Sequence, residues 1–315
     1  MSGWTCEARD SLEFSRPHRI LTTKRVMKKV NVYIILAIQQ LISGGTHIVA
    51  KVVVADVNPA ALTFMRSIIA SAGLLAVFWT RWGPLRIERR DWGRVALMGF
   101  LGISLNQFFY LYGLRYTTAA NGALLYAATP VFVLLLSHFF LKESISLRKT
   151  IGIVLAFTGI AIVIFERGVD LSSGYALGNV LILVAVLGWT LAMIVGKELI
   201  VRYGALRTTA AMMTAGAAIF TPFGLFATFQ VPFNSLGILD WTGILYLALG
   251  TSILGYLLWY HALGRIEASK VAVFANGQPV IAAILSLVFL DYTITGSFVT
   301  GSIITIAGIA VTQRG

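Results

Sequence analysis

The sequence predicts an all-α polytopic membrane protein with ten transmembrane helices, built as two inverted-topology repeats of five helices. Three observations carry this. There are ten apolar runs of membrane-spanning length. Lysine and arginine fall almost wholly on one side of those runs. And the chain repeats itself at an offset of 149 residues.

Of the 315 residues, 57% are hydrophobic and 12% are charged, with a mean hydropathy of +0.82. A soluble domain carries about 25% charged residues, so the chain holds more apolar sequence than one soluble core can use. A helix crosses a bilayer with about 20 apolar residues. Runs of that kind fall at 32–54, 59–79, 92–114, 117–140, 149–165, 175–196, 208–229, 241–263, 268–290 and 295–312. Two boundaries are short. Arg115-Tyr116-Thr117 alone separates the third and fourth runs, and Gly264, Arg265, Glu267 and Lys270 mark the gap near 264–270.

Alternating the sides from the N-terminus places 21 of the 25 basic residues on one side, among them Arg81, Arg94, Lys149, Arg202 and Arg207. Only Lys51, Arg115 and Arg167 fall on the other, and Arg66 lies inside a span. The positive-inside rule then puts both termini in the cytoplasm. The net charge of +12 reflects this asymmetry and some attraction to an anionic bilayer; no nucleic acid partner is needed to explain it. Residues 1–30 are polar and basic and lack the apolar stretch of a signal peptide. They are expected to be a disordered cytoplasmic tail, with Met27-Lys28-Lys29 a second candidate start. The single cysteine, Cys6, cannot form an intrachain disulfide.

Shifted by 149 positions, residues 105–163 lie on 254–312 without a gap, with about a quarter of positions identical. Pro130-Val131 meets Pro279-Val280, and Gly159-Ile160-Ala161 meets Gly308-Ile309-Ala310. Near the start of each half, H-I-V-A-K at 47–51 becomes M-I-V-G-K at 193–197, an offset of 146. The chain therefore divides into 31–166 and 174–313. Five spans is an odd number, so the second half enters the membrane upside down. Inverted halves of this kind build transporters, with a substrate site near the bilayer midplane.

The stretch G-L-R-Y-T-T-A-A-N-G-A-L-L-Y-A-A-T-P-V-F-V-L-L-L-S-H-F-F-L-K-E-S-I-S at 113–146 resembles the core of the EamA family in the drug/metabolite transporter superfamily. So does Y-H-A-L-G-R-I-E-A-S-K-V-A-V-F-A-N-G-Q-P-V at 260–280, and P-x6-R at Pro59–Arg66 and W-x7-K at Trp189–Lys197 also fit. The resemblance covers about 32–313. It implies ten helices, cytoplasmic termini, a central cavity and transport of small metabolites, with export the expected direction. Against the family pattern, Ser43 and His47 stand where tryptophan and phenylalanine are usual. Gln278 stands where a glutamate often precedes the proline, and Asp291-Tyr292 replaces Gly-Glu.

Polar groups inside the membrane are functional candidates by default. All thirteen acidic residues fall in loops or at span edges, so no buried carboxylate is expected as a proton relay. With no H-E-x-x-H, no paired aspartates and no serine motif with a partner, neither an enzyme nor a resident metal or cofactor is expected. Asn106 and Tyr110 share a helical face with Gly113, and Tyr256, Trp259 and Tyr260 share another. Each set has two readings, interfacial aromatics or a cavity wall, and Trp189 joins the second. Asn121 and Asn276 add polarity to the fourth and ninth spans. There Pro130 and Pro279 remove a backbone donor and crowd the carbonyls of Tyr126 and Ala275, either as passive kinks or as bends around a pathway.

Small residues at Gly152, Ala156, Gly159 and at Gly301, Thr305, Gly308 are read as helix packing stripes. Lys51 and Lys197 are expected to end their spans, as snorkelling anchors or as groups attracting substrate. Arg66 either snorkels toward Asp56 or faces the cavity and attracts an anion. His47 is either a packed, neutral stand-in for the usual aromatic or an imidazole that binds substrate or carries a coupling proton. His261 is the second candidate for that role and His138 the third.

The expected function is a carrier for a small organic solute, by alternating access between the halves, in the inner or plasma membrane. Neutral, zwitterionic or aromatic solutes are favoured over polycations. A membrane scaffold or sensor is the alternative, and a homodimer is an allowed assembly.

Overall fold

The computed structural model describes residues 32–141, 146–165, 174–266, 268–290 and 294–314. The tail with Met27, and Lys142, Arg167, Glu267 and Asp291-Tyr292, lie outside them, as do the side chains of His138 and Lys270. The described chain makes ten helical passes: α1 Val32–Asp56, α2 Pro59–Trp82, α3 Arg89–Leu114, α4 at 119–141, α5 Leu147–Ile164, α6 Tyr175–Tyr203, α7 Ala205–Phe229, α8 Ile238–Leu263, α9 at 268–289 and α10 Gly296–Arg314. Seven are long and apolar enough to span a membrane by length and composition alone.

Local chemistry sets the helix starts. Asn58 caps α2 by accepting from the Ala60 N–H at 2.8 Å, and Pro59 takes the first helical position, where its missing donor costs nothing. Thr118 caps α4 and Ser146 caps α5 in the same way. At α8 the Asp240 carboxylate accepts from the Gly237 N–H at 2.9 Å.

The helices run past the expected span ends at Lys51 and Lys197: α1 continues to Asp56 and α6 to Tyr203. Beyond Lys197 the helix carries Glu198, Arg202 and Tyr203, which find partners on the start of α3. Arg202 pairs with Asp91 at 2.7 Å, Tyr203 donates to the same carboxylate at 2.5 Å, and Arg94 pairs with Glu198.

The packing obeys the repeat. α1 lies on α8 and α9, and its equivalent α6 lies on α3 and α4. α2 packs on α8, and α7 on α3. Three further pairs, α2 with α7, α4 with α9 and α5 with α10, join a helix to its own equivalent. In the α5–α10 pair the small-residue stripes meet. A Cβ on Gly159 would fall against Thr305 Oγ1 and the Gly301 carbonyl, and one on Gly308 against the Ala156 and Gly152 backbone. Only glycine lets the backbones approach so closely.

Two departures from α-helical geometry also repeat. α3 is a π-helix over Phe100–Gln107, and α8 is one over Tyr246–Gly255. At the 149-residue offset the first lies on 249–256, so the wide turns occupy equivalent places. π turns concentrate at functional sites because they interrupt the regular ladder and re-aim side chains. α4 and α9 break at equivalent places as well. α4 consists of Ala119–Ala127 and Thr129–Leu141, and in α9 a 3₁₀ turn at Phe274–Gly277 precedes the helix Gln278–Phe289. Pro130 and Pro279 thus stand at the second position of a new helical segment. Thr129 Oγ1 donates to the Tyr126 carbonyl at 2.6 Å, satisfying the acceptor that Pro130 leaves without a partner.

Candidate functional site

Between the halves lies a cavity of about 80 Å³. Its walls come from α1, α2, α3, α4, α6, α8 and α9, and it includes residues of both π turns and both helix breaks. Of the residues singled out in the sequence, it brings together His47, Arg66, Asn106, Tyr110, Trp189, Tyr256 and Trp259.

α1 contributes a polar stripe, Gln39, Ser43, Thr46 and His47, spaced so as to share one helical face. Gly44 and Gly45 on the same turn leave room for neighbours, since a Cβ there would strike Ile281 of α9 and the Tyr246 hydroxyl of α8. With that approach secured, Thr46 Oγ1 meets Thr251 Oγ1 at 2.7 Å, and Tyr246 donates to the Ile42 carbonyl at 2.8 Å.

His47 is buried and bonded through both ring nitrogens. Nε2 meets Gln278 Oε1 at 2.9 Å and Nδ1 meets the Tyr110 hydroxyl at 2.6 Å. Because Oε1 can only accept, Nε2 carries a hydrogen, and in the neutral ring Nδ1 accepts from the Tyr110 hydroxyl. The ring also sits edge-on to Tyr110 and Tyr126, with centroids 5.5 and 5.7 Å away. His47 thus packs among aromatic rings as the stand-in reading expects, and it also lines the cavity.

Arg66 is only 2% exposed. Its Nε and Nη2 both donate to Ser252 Oγ, at 3.1 and 2.9 Å. This corrects the snorkelling alternative: the side chain reaches across to the π turn of α8, not along α2 to Asp56. The neighbouring hydroxyls of α2 do not compete for it, since Thr63, Ser67 and Ser71 each donate to a carbonyl of their own helix.

Aromatic rings close the rest. Trp189 stands edge-on to Tyr256 at 5.1 Å, tilted to Trp259 at 5.8 Å and stacked with Tyr260 at 6.0 Å. Asn106 donates to the Tyr126 hydroxyl and to the Ala185 carbonyl, the latter at 2.8 Å. Gln107 donates to the Tyr256 hydroxyl at 3.2 Å. Two buried polar atoms in this wall, Trp259 Nε1 and Gln107 Oε1, have no partner among the described residues.

Several sequence candidates stand elsewhere. Tyr260 lies behind the wall and donates to the Met212 sulfur at 3.3 Å. Asn121 donates to the Tyr175 hydroxyl at 2.6 Å, and Thr117 donates to Asn179 beside it, which ties α4 to α6. His261 and Asn276 do not line the cavity. Lys51 donates to the Leu114 carbonyl at 2.7 Å, and Lys197 to the carbonyls of Leu263 and, at 2.8 Å, Ile266. Leu114 and Leu263 are equivalent at the 149-residue offset and end α3 and α8. Each lysine therefore caps carbonyls that a helix C-terminus leaves unpaired.

Sequence reasoning missed Gln39, Thr46, Gln107, Tyr126, Thr129, Thr251 and Ser252 as parts of the site. The α1 stripe was detectable, being polar at helical spacing in an apolar run. Thr251 and Ser252 gave no signal, because the π turn that turns them inward leaves no composition mark. Among the described residues no cluster of histidine, cysteine, aspartate or glutamate could hold a metal ion.

Comparison with known proteins agrees with this architecture. The sequence model of the EamA-like transporter family matches residues 30–165 and 176–314. An uncharacterized transporter of Bacillus subtilis (strain 168), YetK, is 32% identical over 91% of this chain and 88% of its own. An uncharacterized transporter of Archaeoglobus fulgidus is 30% identical over 89% of this chain and 96% of its own. A protein of Streptantibioticus cattleyicolor named "Probable terminal-alkyne amino-acid exporter" is 26% identical over 81% of this chain and 84% of its own. A solved crystal structure with 20% identity matches the fold with a TM-score of 0.66, over 90% of this chain and 96% of that one.

Proposed function

The chain belongs to the EamA-like transporter family, a multi-pass membrane transporter, and from that premise we propose that it exports a small, amino-acid-like organic solute by alternating access of its two inverted halves. One observation carries the reading: the cavity is walled by equivalent elements of both halves, so a relative movement of the halves changes its walls on both sides together. The paired π turns and helix breaks supply places where helices can bend without losing a regular hydrogen-bond ladder. The lysine and arginine asymmetry supports cytoplasmic termini in the plasma or inner membrane. The name of the Streptantibioticus relative supports an amino-acid-like cargo. Family membership favours the carrier over the scaffold or sensor.

The test is transport by purified protein in proteoliposomes, screened across amino acids and small organic metabolites in both gradient directions. Saturable movement of a panel member, fastest from the cytoplasm-equivalent face, is expected. Absence of transport for every member in protein that is folded and inserted would overturn the proposal.

A further inference from the structure

We infer that the cavity takes a solute bearing one carboxylate, held by the free edge of the Arg66 guanidinium, with an apolar or aromatic body against Trp189, Tyr256 and Trp259. This rests on the reading of the cavity as the transport site.

A guanidinium offers two hydrogen-bonding edges, one through Nε and Nη2 and one through Nη2 and Nη1. Ser252 occupies the first, since both Nε and Nη2 donate to its hydroxyl. That contact fixes the plane of the group. Nη1 has no hydrogen bond among the described residues, and Arg66 lines the cavity. The open end-on edge matches the spacing of two carboxylate oxygens, the geometry in which arginine binds carboxylates most selectively.

Charge points the same way. No acidic side chain lines the cavity, and Arg66 takes part in no ion pair among the described residues. A buried cation without a counter-charge is costly, so an arriving anion recovers what burial loses. The same positive charge repels cationic solutes where little water screens it. A single cation suits a monoanion, because Lys51 and Lys197 are engaged with carbonyls at helix ends. The body of the solute meets the aromatic faces of Trp189, Tyr256 and Trp259.

The experiment measures counterflow in proteoliposomes for matched sets with one body and three heads: phenylalanine, phenylalaninamide and N-acetylphenylalaninamide, and phenylacetate, phenylacetamide and 2-phenylethylamine. The carboxylate member of a set is expected to compete at least about tenfold better than its amide. That preference should vanish in Arg66→Gln and survive in part in Arg66→Lys. Where Arg66→Gln fails to insert, the comparison of acid with amide in the unmodified protein decides alone. Transport of neutral or cationic members only, or an acid preference unchanged in Arg66→Gln, overturns the inference and leaves the carrier standing. Transport of no compound in either these sets or the wider screen overturns both.

Discussion

Gln107 donates to the hydroxyl of Tyr256 at 3.2 Å, and the two residues are each other's equivalents at the 149-residue offset. Two equivalent side chains can meet only where the pseudo-two-fold axis passes between them. Their bond therefore marks the axis, and it lies in the cavity wall.

That bond gives an unequal pair of substitutions. Tyr256→Phe leaves a buried amide that already has an unpartnered Oε1 with no partner at either end, whereas Gln107→Leu removes the amide together with its orphaned atom. Tyr256→Phe is expected to cost about 1–3 kcal/mol of stability and Gln107→Leu less. The coupling in a double-mutant cycle should be near the average for membrane pairs, about 0.6 kcal/mol. Unfolding in bilayer-like detergent measures all three. Equal losses, or no coupling, would contradict the arrangement.

His47 sits where α1, α3, α4 and α9 converge, facing Tyr110, Tyr126 and Gln278, with Arg66 in the same cavity. A second proton on the ring would turn Nδ1 from acceptor into donor, and the Tyr110 hydroxyl can accept once its own hydrogen rotates away. If transport is coupled to protons through His47, His47→Phe, folded and inserted, is expected to abolish the pH dependence while keeping the ring packing. A pH profile unchanged in that variant and in the His47/His261 double variant would exclude both imidazoles as proton carriers.

The lysine caps predict a graded loss. Lys51 holds one helix-end carbonyl and Lys197 holds two. Lys51→Met should lower stability by about 1 kcal/mol and Lys197→Met by about 2 kcal/mol. Because the caps stand at opposite ends of the bundle, the losses should add. Thermal unfolding of the single and double variants tests the order and the sum; a reversed order would mean that the carbonyl contacts do not set the effect.

What was legible in the sequence was whatever leaves a mark on composition or period. Ten apolar runs gave ten helices, and the glycine stripes of the fifth and tenth runs do face one another. Helix ends were harder. Arg202 and Glu198 read as loop residues because they are charged, yet they extend α6 by pairing with α3. The π turn at 100–107 was invisible, since F-L-G-I-S-L-N-Q has no proline and its single glycine is tolerated in ordinary helix. The bonds that build the site join residues as far apart as His47 and Gln278, and single-residue spacing carries no trace of them. Even so, three departures from the family pattern, Ser43, His47 and Gln278, converge on this one cavity.

The equivalences across the axis are unlike in chemistry. At the 149-residue offset Gln107 faces Tyr256 and Tyr110 corresponds to Trp259, and at 146 His47 corresponds to Met193 and Arg66 to Met212. Two identical copies of one repeat would surround a guest with matching groups at both poles, and such a chamber could not distinguish a molecule from the same molecule reversed. Joining the copies in one chain let each pole change alone. Of Arg66 and Met212 only Arg66 lines the cavity, so under the proposed function a guest would meet a charged pole on one side and no equivalent charge on the other. Because the bilayer itself has two unlike faces, a solute oriented by that charge would, on the proposed alternating access, present one end to the side of entry and the other to the side of exit.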